Sequence, residues 1–214
     1  ALTLELTLEK VETSYPLWLY PSREQGSKKV GDVLTADSLD EEVFRFLRKG
    51  GRVFLDPPAK KEYFPASIGG QFTTDFWSVG SFPEQEGGMG MVIDASHPAL
   101  EHFPTAFYSQ WQWWPMANGR PMILPEWIRP IIRVPDSCLR MKPMGLLFEA
   151  KIGAGRLMVS SMGLHDIQQY PEAGALLDGI LTYMNGPGFQ PVQELTEEQL
   201  KEIVSAGPKK STGE

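Results

Sequence analysis

The sequence predicts an α/β domain of three layers, in which helices cover both faces of a mostly parallel sheet. Three observations lead there. Residues 30 to 56 read as strand, helix, strand in one short unit. Residues 171 to 185 carry an unbroken apolar stripe at helical spacing, which needs a sheet face to bury against. Residues 145 to 161 hold two apolar runs joined by Gly153-Ala154, the spacing of a hairpin.

In chain order, Leu2, Leu4, Leu6 and Leu8 fall at strict period two, the pattern of a half-buried strand. A second β-prone run, Tyr15 to Tyr20, stops at Pro21, and Ser22 to Lys29 reads as a polar loop. Both strands are assigned to the end of an adjoining β-sandwich or to an added sheet edge. Val30 to Leu34 then opens the βαβ unit. Ser38 and Glu41 have capping-box spacing before Val43, Phe44, Phe46 and Leu47, so a helix is expected over 38 to 49, ended by Lys49 and Gly50. Arg52 to Asp56 follows as a short buried strand that Pro57-Pro58 ends. From Pro57 to Pro143, Gly, Pro and aromatic residues interrupt each candidate element, and Met89 to Asp94 is the clearest strand. Pro171 near the start and Gly186 after the end bracket the long helix. Leu195, Leu200, Ile203 and Val204 form a last amphipathic stretch that Thr196 caps, and a polar tail begins after Ala206. The chain thus divides into residues 1–22 (β-strands), 23–190 (the α/β domain) and 191–214 (helix and tail).

Composition excludes several functional classes. With 20 Lys and Arg against 27 Asp and Glu, the net charge is −7 and no basic stripe is present, which argues against nucleic acid. No apolar run approaches the ~18 residues of a membrane span. Gly and Pro supply 21 and 18 of the 214 residues, so loops take a large share of the fold. The single cysteine excludes an internal disulfide and a Cys-rich metal site.

The chemical motifs are sparse. Neither a Gly-x-Ser-x-Gly elbow nor a phosphate-binding Gly-x-x-x-x-Gly-Lys string occurs. Gly88-Met-Gly90 begins like a dinucleotide fingerprint, but its third glycine position is Ile93 and it precedes a strand. Cys138 has no nucleophile turn around it and reads as a semi-buried loop residue. Asp94 and His97 end one candidate strand and His165 follows another, so loops at one sheet edge are expected to gather them as an alternative site for small-molecule hydrolysis. No metal site and no cofactor is expected, because no histidine pair has the zinc-protease spacing. The segment from His102 to Trp114 is nearly half aromatic, and Gln110, Trp111, Gln112, Trp113 and Trp114 combine flat rings with amide groups, the chemistry of a carbohydrate contact as well as of an interface. In an extended chain Trp111 and Trp113 share one face and Trp114 the other.

Tyr15-Pro-Leu-Trp-Leu-Tyr-Pro21, Phe103-Pro-Thr with Gln110-Trp-Gln-Trp-Trp114, and Gly145-Leu-Leu-Phe-Glu-Ala-Lys151 with Gly155-Arg-Leu-Met-Val-Ser160 together resemble the C-terminal accessory region of bacterial glycoside hydrolases of family 2, the β-galactosidase-like enzymes. The similarity spans most of residues 12 to 185. It implies a class I glutamine amidotransferase-like or flavodoxin-like domain joined to the last strands of a β-sandwich, and a non-catalytic role in interdomain packing, oligomerisation or glycan contact. The partners it implies are other domains of a parent glycosidase, a glycan and a second copy of the chain, in a periplasmic or extracellular bacterial setting. The hydrolytic glutamates of that family sit on a barrel of ~250 residues, which this chain cannot hold. The amidotransferase nucleophile does not carry over either: Ala66 to Gly70, the corresponding stretch, has Ser67 and no cysteine.

Overall fold

The computed structural model describes residues 1–20, 31–72, 81–82, 86 and 88–207. Among the described residues it has a two-stranded sheet, a seven-stranded mixed sheet and four α-helices, a mixed α/β class. The loop expected over Ser22 to Lys29, with Pro21 and Val30, lies outside the described residues, as does the tail beyond Gly207.

Strands β1 (Leu2–Leu8) and β2 (Val11–Leu17) pair antiparallel into a sheet of their own. The register sets Leu2 opposite Leu17, Leu4 opposite Tyr15 and Leu8 opposite Val11, so the apolar side chains share one face. The expected half-burial of β1 is corrected: every residue of both strands is exposed, because among the described residues no element packs on the leucine face. The second strand also begins earlier than the Tyr15–Tyr20 run. A two-residue turn at Glu9 and Lys10 starts it at once, with Glu9 in the left-handed region at φ 54. Residues 18 to 20 join this hairpin to the rest: Trp18 Nε1 donates to Pro104 O (3.2 Å) and Tyr20 OH to Gln112 Oε1 (2.6 Å).

The βαβ unit forms as expected, from β3 (Val33–Ala36) through α1 (Glu41–Arg48) to β4 (Arg52–Leu55), with β3 and β4 parallel. Its cap is corrected. Asp40, not Ser38, is the first residue with extended backbone before the helix, and its carboxylate accepts from Val43 N (3.0 Å), while Ser38 Oγ turns to Asp37. The strand expected over Met89 to Asp94 shrinks to β5 (Val92–Ile93). A 3-10 turn over Trp111–Trp113 runs into α2 (Trp114–Ala117), and two short strands follow, β6 (Met122–Ile123) and β7 (Ile132–Arg133). The predicted hairpin is β8 (Met144–Ile152) with β9 (Gly155–Ser160), antiparallel around Gly153-Ala154. Helix α3 spans Pro171–Asn185 as its stripe required, and α4 spans Glu197–Ile203 behind Thr196, whose hydroxyl and Gln199 complete a capping box.

The large sheet runs β3-β4-β9-β8-β7-β5, with β6 also on β8. Only β3-β4 and β4-β9 are parallel, so the expectation of a mostly parallel sheet is corrected to a mixed one. A parallel partner needs a crossover of a dozen or more residues, and the links from β7 to β8 and from β8 to β9 are shorter. Two apolar clusters form the core. Phe54, Leu146, Met158 and the stripe of α3 belong to one, together with Phe103 and Trp113. Val53, Leu55, Val159 and the buried sides of α1 and α4 belong to the other. Alternate residues of β4 and β9 thus divide between the clusters, as pleated strands buried on both faces require.

Candidate functional site

The C-terminal ends of the three parallel strands meet at one edge of the sheet, where open α/β sheets place their ligand crevices. A cleft of about 430 Å³ lies there, between the residues that follow β3 and β4, the start of α1, and the loop after β9. Asp56 continues β4, its N–H donating to Ala36 O (2.9 Å), and is 2% exposed. After β9, Gly163 turns the chain at φ +63, a conformation that L residues rarely adopt, and brings His165 back over the strand end. His165 Nδ1 lies 2.9 Å from Asp56 Oδ2, and the His165 backbone N–H donates to the same oxygen (3.1 Å). An ionised carboxylate only accepts, so Nδ1 carries the proton and Nε2 is left to the cleft. The hydrogen bond to Asp56, opposed by burial and assisted by the charges of Asp56, Asp166 and Asp37, raises the His165 pKa above its ordinary 6.5. A histidine fixed in one tautomer by a buried carboxylate is built to accept or hold a proton at Nε2.

The three residues expected at the alternative site are not brought together. His165 alone lines this cleft. Asp94 lines a separate, more apolar pocket of about 270 Å³ with Ile93, Leu124 and Ile128, and it accepts from Ser96. His97 takes the turn role: its Nδ1 accepts from Ala99 N (3.2 Å), and its ring meets Tyr183 edge-on at 5.4 Å. Strand β5 runs opposite to β4 and β9, so the residues that follow it, Asp94 and His97, come out at the other edge of the sheet, which the sequence order does not reveal. Asp56 was missed as a partner. The visible signal was a single carboxylate closing an apolar strand just before Pro57-Pro58.

The aromatic segment turns helical from Trp111 onward, and this corrects the predicted alternation. At the 3.6-residue period positions 111 and 114 share a face, so Trp111 and Trp114 are exposed (68% and 46%) while Trp113 is fully buried. Trp113 Nε1 donates to Thr105 Oγ1 (2.8 Å) and its ring meets Phe103 edge-on at 5.1 Å. Gln112 is buried and structural: Nε2 donates to Pro104 O (2.9 Å) and Oε1 accepts from Tyr20. Gln110 sits just before the 3-10 turn and makes no side-chain cap. The exposed pair gains Phe72, whose ring lies 5.2 Å from Trp111 and 5.4 Å from Trp114; the indoles themselves are 6.2 Å apart and tilted by 31°. Nothing in the local sequence marks Phe72 as their partner. Tyr20, stacked on Phe103 at 6.2 Å, has its pKa raised by burial and by the charge of Glu172, so its hydroxyl stays a donor.

Cys138 is exposed, not semi-buried. The loop around it is held from within by Asp136, which takes Arg140 (2.6 Å) and the N–H groups of Ser137 and Lys142. Ser67 is locked, its hydroxyl donating to Phe64 O and accepting from Arg120 Nε (3.1 Å). Among the described residues no group of three or more His, Cys, Asp or Glu side chains could hold a metal ion, and no helix is long and apolar enough to cross a membrane.

Residues 34–205 match the family described as a domain of unknown function, DUF8487. The chain belongs to that family. The DUF8487 region runs from inside β3 to just past α4, and so takes in the large sheet, the cleft and the aromatic cluster, while the exposed hairpin lies before it. No curated protein matches the chain.

Proposed function

We propose that this chain is a non-catalytic α/β module of the three-layer, glutamine amidotransferase-like or flavodoxin-like kind, acting as the accessory part of a larger β-galactosidase-like glycoside hydrolase, where its aromatic face contacts carbohydrate. The observation that carries the reading is the pair of exposed indoles, Trp111 and Trp114, braced by Phe72. Rings that stay exposed beside a buried indole of the same segment offer π faces to the C–H faces of a sugar. The hairpin agrees with the same reading. An isolated two-stranded sheet is marginal in water, and the bare leucine face of β1 suits packing in an adjoining β-sandwich. A periplasmic or extracellular setting goes with it.

Titration with oligosaccharides, followed by tryptophan fluorescence, tests the proposal. The intact chain should show a saturable change, and Trp111→Ala or Trp114→Ala should each weaken it by about fivefold, the equivalent of ~1 kcal/mol per stacked ring. No saturable response to any galactoside, glucoside or mannoside oligomer would remove the carbohydrate contact from the reading. Glutamine and aryl glycosides should give background turnover only, since Ser67 is held by Phe64 and Arg120.

A further inference from the structure

The cleft at the ends of β3, β4 and β9 carries a charge pattern that the carbohydrate reading does not use. Asp37, Asp40, Glu42 and Asp166 line it together with Asp56 and His165, and among the described residues no Lys or Arg does. Two of the carboxylates serve the local backbone and side chains, Asp40 on Val43 N and Asp37 on Ser38 Oγ. Asp56 differs. It commits Oδ2 to two N–H groups of His165, and its Oδ1 is fully buried without a partner among the described residues. A buried, unpaired carboxylate oxygen is costly, and a positive charge brought into the cleft offsets that cost.

We infer that the cleft binds a small organic cation of the amino-alcohol type, whose ammonium is held by the carboxylates and which donates an N–H or O–H to Nε2 of neutral His165. Five acidic residues lining one cleft repel phosphate and carboxylate ligands, and a neutral polyol gains nothing from the excess charge. The volume of about 430 Å³ admits a compound of monosaccharide size or smaller. Leu34, Ala36, Val43 and Pro58 supply apolar wall for its carbon frame. The titratable groups that share the cleft with His165 are Asp56 at the end of β4, Asp37 after β3, Asp40 and Glu42 at the start of α1, and Asp166 on its own loop, of which Asp56, Asp166 and Asp37 act on the imidazole. All are acidic. They favour the imidazolium when the cleft is free of a cation, so ligand and proton compete for Nε2. Binding therefore releases a proton, and affinity rises with pH by up to about tenfold per unit below the His165 midpoint.

The test uses one carbon frame in three charge states: ethanolamine, ethylene glycol and glycolate. The His165 ring signals of the intact chain are followed by NMR, assigned with His165→Gln against His97 and His102. Ethanolamine should shift them saturably in the millimolar range and lower their titration midpoint, binding at least fivefold more tightly near pH 8 than near pH 6. Ethylene glycol and glycolate should leave them unmoved. Asp56→Asn should abolish the response. Should that variant not fold, Asp166→Asn and Asp37→Asn decide, because both residues are exposed and each should weaken ethanolamine several-fold. An absent or non-saturating shift up to about 50 mM ethanolamine, a glycolate response as large, a pH-independent affinity, or unchanged binding in both rim variants would each overturn the inference. Trp111 and Trp114 do not line this cleft, so the outcome is independent of the carbohydrate titration.

Discussion

At the scale of single residues, a side chain's surroundings decide what its chemistry can do. The hydrogen bond to Asp56 raises the pKa of His165. Because the folded pKa lies above the unfolded value, the pair stabilises the fold fully below about pH 6.5 and loses that contribution as pH rises through the folded pKa. Urea unfolding between about pH 6 and 9 should show stability falling across that window, and His165→Gln should remove this part of the slope. The tryptophans give a second contrast. Trp113→Ala should cost about 3–5 kcal/mol, since it empties a fully buried indole site and removes the N–H that Thr105 Oγ1 accepts, whereas Trp111→Ala should stay within about 0.5 kcal/mol. Equal costs for the two in chemical denaturation would contradict the burial seen here.

At the scale of elements, capping and close approach fix the βαβ unit and its neighbour β9. Asp40→Ala should destabilise by about 1 kcal/mol, by removing the acceptor for Val43 N, and Ser38→Ala by less than about 0.5 kcal/mol, although the sequence spacing favours Ser38 as the cap. Gly155 opens β9 directly against α1: a Cβ there would stand 2.6 Å from Leu47 O and 2.7 Å from Leu47 Cα. Those are backbone atoms and cannot yield cheaply. Gly155→Ala should therefore lower the thermal midpoint by the equivalent of about 1–3 kcal/mol, as overpacking does. At the other end of the hairpin turn, Gly153 sits at φ +57 with open space around it, so its requirement is conformational and not steric.

For the molecule as a whole, burial is very uneven. The central strands β8 and β9 are almost entirely buried, while β1 and β2 form an exposed ribbon anchored through Trp18 and Tyr20. Amide exchange should separate the two, with β8 and β9 protected to near the global limit and the ribbon exchanging orders of magnitude faster. Leu4→Glu with Leu6→Glu should leave the stability of this chain within about 0.5 kcal/mol per site, because both side chains are already in water. A large loss would show that the leucine face is covered in solution.

Local signals in the sequence determined a good part of this fold. Capped, striped or turn-bounded segments declare themselves through spacing alone: α3 with Pro171 and Gly186, α4 behind Thr196, the β8–β9 hairpin around Gly153-Ala154, and the βαβ unit at 33–55. Interactions within a few residues set all of these. The tertiary structure decided the rest, where partners lie far apart in the chain. Asp56 and His165 are separated by 109 positions, and only the pairing of β4 with β9 makes them neighbours. Asp94, His97 and His165 look like a set in the sequence, yet β5 and β9 run in opposite directions, which puts the first two and the third at opposite edges of the sheet. The tryptophan segment turned on period: six rings fit a strand or a helix equally well, and it was the helical turn, docked by Trp113 against Phe103 and Thr105, that chose which indoles face water. Burial against distant partners is a property of the assembled core, and a single stretch of sequence cannot encode it.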